Sequence, residues 1–79
     1  MEHDMVCVGI EVEAGTAAAL GRLFELYGCR VVERADDHLR VAFPDACSEG
    51  EALTEARLYL SMRPTLRRAS RLTAAAAAA

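Results

Sequence analysis

The sequence predicts an α+β domain, in which a three-stranded sheet is covered on one face by two helices and followed by a C-terminal helix. Residues 5–13 alternate apolar and polar side chains with a period of two, as a half-buried strand does. Leu20, Leu23, Phe24 and Tyr27 recur at helical spacing. Two further apolar runs flank Asp36-Asp37, and a capping motif at Ser48 opens a second helical pattern.

In the first strand Val6, Val8, Ile10 and Val12 point one way, and Cys7, Gly9, Glu11 and Glu13 the other. Ala14-Gly15 turns the chain, Thr16 stands where the first helix needs an N-cap, and Gly28 supplies its stop. Residues 29–34 and 39–43 contain Val31, Val32, Leu39, Val41 and Phe43 and form a hairpin around the aspartates. A two-residue turn faces Val32 to the core beside Val41 and sets Glu33 opposite Arg40. A one-residue slip instead turns Val31 and Cys29 inward, and the sequence leaves both registers open. After Pro44, Ser48-Glu49-Gly50-Glu51 matches a capping box, so a second helix starts at 48 or 49. Its expected buried stripe is Leu53, Ala56, Tyr59 or Leu60, and Met62; Pro64 ends it near Arg63, and Thr65 caps a third helix from 66.

This order resembles a ferredoxin-like plait lacking its last strand: β-α-β-β-α plus a C-terminal helix. A right-handed crossover then gives a three-stranded sheet of order 1-3-2, with strand one parallel to strand three and open along one edge. An open edge is covered by the tail helix, or by a strand of a partner or second copy in a homodimer. The expected division is a compact domain over 1–63 and an Arg/Ala-rich helical extension over 64–79, closed by the alanine run 74–79.

Charge is distributed unevenly. All twelve Asp and Glu lie in residues 1–55 with four arginines, about −8, whereas residues 56–79 carry five arginines and no acid, which accounts for the net −3. Potentials of this kind steer encounters and select partners. All nine basic residues are arginine, whose planar guanidinium suits interfaces. Seventy-nine residues make one domain. Cys7, Cys29 and Cys47, odd in number and unpaired in spacing, read as thiols in a reducing cytoplasm, and Met5–Ile10 is too short to span a bilayer. His3, His38 and the cysteines lack metal-ligand spacing, and Asp36, Asp37 and His38 sit on a turn, so no cofactor and no catalysis are expected.

The leading functional reading is a small non-catalytic interaction module, an inhibitor or regulator of a larger protein. Its acidic surface, Glu11, Glu13, Asp36 and Asp37, is suited to mimic a run of phosphates and block a nucleic-acid-binding groove. Phage-encoded inhibitors, anti-CRISPR proteins among them, are similar in size and charge. A second reading starts at Glu13-Ala14-Gly15-Thr16-Ala17-Ala18-Ala19, where small residues leave the first helical turn bare. Residues 6–27 resemble ACT-type regulatory domains, which implies a small ligand bound near Gly15 and Thr16 in a dimer. A third reading puts Arg63, Arg67, Arg68 and Arg71 on one side of a tail helix against DNA phosphates. Base stacking on the open sheet is not expected, because Phe24, Phe43 and Tyr27 are assigned to the core. Leu66-Arg67-Arg68-Ala69-Ser70 also has the spacing of a basophilic kinase site.

Overall fold

The alternating run becomes strand β1 (Val6–Val12), in which Val8, Ile10 and Val12 are buried and Glu11 is exposed. The computed structural model describes residues 5–73. Beyond β1 the Thr16 N–H donates to the Glu13 carbonyl at 3.0 Å, and Gly15, at φ +87°, supplies the positive φ of this type II turn. Helix α1 (Ala17–Leu26) follows with Thr16 at its N-cap, although the Thr16 side chain makes no capping bond. Gly28 (φ +89°) ends it in a Schellman motif, with the Gly28 N–H on the Glu25 carbonyl and the Cys29 N–H on the Phe24 carbonyl.

Strands β2 (Arg30–Ala35) and β3 (His38–Phe43) form the hairpin, and the two candidate registers turn out to be halves of one ladder. Near the turn Glu33 lies opposite Arg40; past a bulge between Val31 and Glu33, Val31 lies opposite Val41. The extra residue, Val32, is pushed outward and left 47% exposed, while Val31 and Cys29 turn toward the core.

Helix α2 (Glu49–Ser61) is capped by Ser48, whose Oγ accepts the Glu51 N–H at 3.2 Å. The Glu51 carboxylate reaches one residue further back than a capping box requires, accepting the Cys47 N–H at 2.8 Å. Ala52, Ala56 and Leu60 are buried, with Leu53 and Tyr59 half-buried; Met62, expected in the stripe, is 49% exposed. Helix α3 (Pro64–Arg68) begins at Pro64 rather than 66, because a first-turn position requires no N–H from proline and Arg63 serves as N-cap.

The tail then departs from expectation. Ser70–Thr73 is strand β4, not helix, and the antiparallel sheet has four strands in the order β2-β3-β1-β4. A three-stranded sheet of order 1-3-2 is thereby corrected, as is a parallel pairing of the first and third strands. β2 and β1 run the same way across the α1 crossover, and the hairpin reverses β3 between them, so β3 is antiparallel to both. The free edge of β1 is covered by β4 of the same chain. Of the expected helical extension over 64–79, the described residues are helical only over Pro64–Arg68, and the alanine run 74–79 lies outside them.

The core fills the space between the sheet and α1 and α2. Phe24, Phe43, Ile10, Leu20, Leu39, Val8 and Val41 are fully buried, and Phe24 meets Phe43 edge to face at 5.9 Å. At Gly21 α1 packs on β2 closely enough that an added Cβ would reach van der Waals contact, 3.4 Å, with Val31 Cγ2.

Candidate functional site

The four acidic residues singled out from the sequence converge at one end of the sheet. The Val12 N–H donates to the Asp37 carbonyl at 2.9 Å, which holds the Asp36-Asp37 turn against the end of β1. The next amide, Glu13 N–H, donates to the Ala69 carbonyl at 2.9 Å and ties the same point to the start of β4. Glu11, Glu13, Asp36 and Asp37 are all exposed. The strand register also brings a cation in: Glu11 lies between His38 on β3 and Arg71 on β4, and the Arg71 guanidinium is its opposite charge. Cross-strand opposites of this kind are worth a few tenths of a kcal/mol to about 1 kcal/mol, so Glu11 is the most compensated of the four. Asp36 shares a cleft with Arg34, whereas Glu13 and Asp37 lie opposite the uncharged Ala69 and Val12.

The basic tail is divided by the same folding. Arg63, Arg67, Arg68 and Arg71 are exposed but do not share one side of a helix, because α3 ends at Arg68 and Arg71 belongs to β4. Arg71 stands on the open sheet face opposite Glu11, whereas Arg67 lines a groove on the helix side. The open face also holds Cys7, Gly9 and Ala42, with Glu33 opposite Arg40, and no aromatic. Phe24 and Phe43 are buried as expected; Tyr27 is instead 38% exposed, stacked on Tyr59 at 4.5 Å with its hydroxyl donating to Met62 Sδ. Leu26 and Leu58 on α1 and α2, and Tyr27 and Met62 at their C-caps, are large exposed apolar residues.

Two clefts adjoin these charges. The first, about 290 Å³, is lined by Gly15, Ala17, Ala18, Arg34, Ala35 and Asp36, which puts a guanidinium across from the bare start of α1. The second, about 380 Å³, lies between α2, α3 and β4 and is lined by Arg57, Leu60, Ser61, Arg67, Ser70 and Leu72. The chain matches no protein-family model, no curated protein and no solved structure.

All three cysteines are free thiols. Cys29 is buried, and burial, with Glu55 and Asp45 adding to it, pushes its pKa up to about 11, which makes it a poor nucleophile. Tyr59 is likewise pushed up to about 12 by burial and by its bond to the Glu55 carboxylate at 3.0 Å. Cys47 is exposed beside the start of α2. Among the described residues no three His, Cys, Asp or Glu side chains converge as a metal ion requires, and His3 lies outside them. No helix among them is long and apolar enough to cross a membrane.

Sequence reasoning missed Arg34, Arg57 and Leu72 as lining residues. Arg57 carried one usable signal, standing four residues before Ser61 on the same helical face. Leu72 carried none, since its strand is four residues long and runs into alanines.

Proposed function

We propose that this chain is a small non-catalytic protein-interaction module, built on a ferredoxin-like plait, whose acidic end binds a basic surface of a larger protein. The single observation that carries the reading is the convergence of Glu13, Asp36 and Asp37 beside Glu11, held by the paired bonds of Val12 to Asp37 and of Glu13 to Ala69. Backbone bonds on two sides make this end rigid, so exposed carboxylates are presented with little ordering cost on binding. A basic groove that accepts nucleic acid is the complementary partner surface, and occupying it is inhibition by mimicry, as in the phage-type inhibitors this chain resembles in size and charge. The three free thiols support a reducing, cytoplasmic setting.

The test is an affinity capture from nuclease-treated host lysate with two baits, the natural chain and the triple variant Glu13→Gln, Asp36→Asn, Asp37→Asn. A nucleic-acid-handling protein held by the first, released by salt and by added nucleic acid, and lost with the second supports the reading. Equal capture by both baits removes the acidic end from it.

A second reading draws on the cleft at Gly15, Ala17 and Ala18, which Thr16, expected beside Gly15, does not line. The side-chain cap missing from α1 leaves its first N–H groups open toward Arg34, an arrangement that suits a small anion in an ACT-like regulatory dimer. Thermal-shift titration with amino acids and small anions separates the two, because a ligand raises the melting temperature by mass action. A DNA-associated role for Arg63, Arg67, Arg68 and Arg71 draws less support, since the four are spread over different surfaces.

A further inference from the structure

In β1, consecutive amides serve different neighbours: Val12 N–H bonds to Asp37 on the β3 side, and Glu13 N–H bonds to Ala69 on the β4 side. Backbone groups of an antiparallel ladder alternate sides residue by residue. Arg71, opposite Glu11, therefore directs its N–H and C=O to β1. Ser70 and Leu72, opposite Val12 and Ile10, direct theirs to the outer edge, where β4 has no neighbouring strand among the described residues; the Ser70 N–H closes the α3 cap on the Arg67 carbonyl, which leaves the Ser70 C=O and both groups of Leu72 to a partner. The same two residues line the 380 Å³ groove, together with Arg57, Leu60, Ser61 and Arg67.

We propose that the outer edge of β4 and this groove take up an extended acidic segment of a partner protein, added as a fifth strand with its carboxylates on Arg57 and Arg67. Strand addition draws main-chain bonds from the edge and reads alternate side chains in adjoining pockets. Side chains of the added strand that face the helices come down beside Ser70 and Leu72, which is where the groove opens. Its chemistry selects an anion. Ser61 Oγ donates its proton to the Leu58 carbonyl and Ser70 Oγ donates to the Arg67 carbonyl, so the groove's free donors are the two guanidinium groups. Leu60 and Leu72 supply an apolar floor for the carbon stems of the acidic side chains.

Charge also decides against the other occupants. A second copy docked edge to edge brings two tails together, each with five arginines and no acid over residues 56–79. Nucleic acid satisfies the arginines but lacks the peptide N–H and C=O groups that the edge of Ser70 and Leu72 requires. This surface is separate from the acidic end, so either can fail while the other stands.

The experiment titrates the isotope-labelled full chain, at low salt, with a short capped peptide of alternating valine and glutamate, read by amide NMR and hydrogen exchange. The Leu72 amide is expected to shift and to gain protection, and the Ser70 amide, held on the Arg67 carbonyl, to shift without a comparable gain. Replacing the peptide's glutamates with glutamine, or making the double variant Arg57→Gln, Arg67→Gln, is expected to weaken binding about tenfold. N-methylation of alternate peptide residues, which keeps the charge and removes strand pairing, is expected to abolish it. The peptide-side changes leave the protein untouched, so they carry the test even where the double variant is destabilised. Equal binding of the glutamine or N-methylated peptide, shifts centred away from β4, or β4 shifts that follow protein concentration without peptide would overturn the proposal.

Discussion

Strand β2 closes one side of the sheet with a bulge at Val32 and with Arg30, Glu33 and Arg34 exposed along it, whereas β4 closes the other with four residues, of which Leu72 turns its N–H and C=O to the outer edge. A bulge and charged side chains are the usual devices by which an edge strand resists pairing with another chain. β2 has both. β4 has no bulge, and its one charged side chain, Arg71, faces the open sheet beside Glu11, so on the helix side the strand itself presents only Ser70 and Leu72. The lesson is that one edge is closed by its own sequence and the other is left addressable, and the difference can be tested by perturbing each side in turn.

The largest effect is expected where the two edges share a core. Phe24→Ala removes a fully buried ring in contact with Phe43 and Tyr59 and should cost about 3–5 kcal/mol, most of the stability of a domain this size. Urea denaturation reads it, and a loss under 1 kcal/mol is incompatible with the packing described. Leu66→Ala acts on the β4 side alone, removing the buried anchor of α3 for about 2–3 kcal/mol. Hydrogen exchange sharpens this one: Glu13, bonded to Ala69, should exchange faster, while its neighbour Val12, bonded to Asp37, keeps its protection. Equal loss at both amides means that β4 is not a separable edge.

On the β2 side, Cys29 makes stability depend on alkaline pH. Its pKa rises from 9.0 to about 11 on folding, so the fold favours the neutral thiol. That contribution is complete below pH 9, shrinks as the unfolded chain ionises, and is lost as pH passes the folded value. Denaturation midpoints should fall between pH 9 and 11, and a Cys29→Ala chain should lack that part of the decline. Gly21→Ala tests the approach of α1 to β2: with the new Cβ at ordinary contact from Val31, helix propensity should stabilise the chain by about 0.5–1 kcal/mol. A destabilised variant shows that the approach is tighter than 3.4 Å implies. The smallest effect belongs to the pair joining β1 to β4, where Glu11→Gln or Arg71→Gln should cost only a few tenths of a kcal/mol and vanish at high salt.

Most of β1, α1, the hairpin and α2 was legible because each is written locally. Alternation, the Gly28 stop, the Asp36-Asp37 turn and the Ser48 cap act over a few residues, and their geometry follows from backbone sterics and capping. The acidic residues were legible as exposed, but their convergence was not, since it depends on the Asp37 carbonyl meeting the Val12 amide across the sheet. The hairpin register resisted a choice because Val32 and Val31 have equal claims on the core by hydrophobicity. A bulge satisfies Glu33 opposite Arg40 and Val31 opposite Val41 together.

By itself, then, the sequence determined the α+β class, the first five elements, the separation of acid from base along the chain and the free state of its thiols. Tertiary structure alone decided the fate of the tail. Ser70–Thr73 follows a short helix and precedes alanines, so local propensity favours helix there. Pairing with β1 half-buries Leu72 against the core and satisfies the edge groups of Gly9, Glu11 and Glu13, and those long-range gains override a propensity worth only tenths of a kcal/mol per residue.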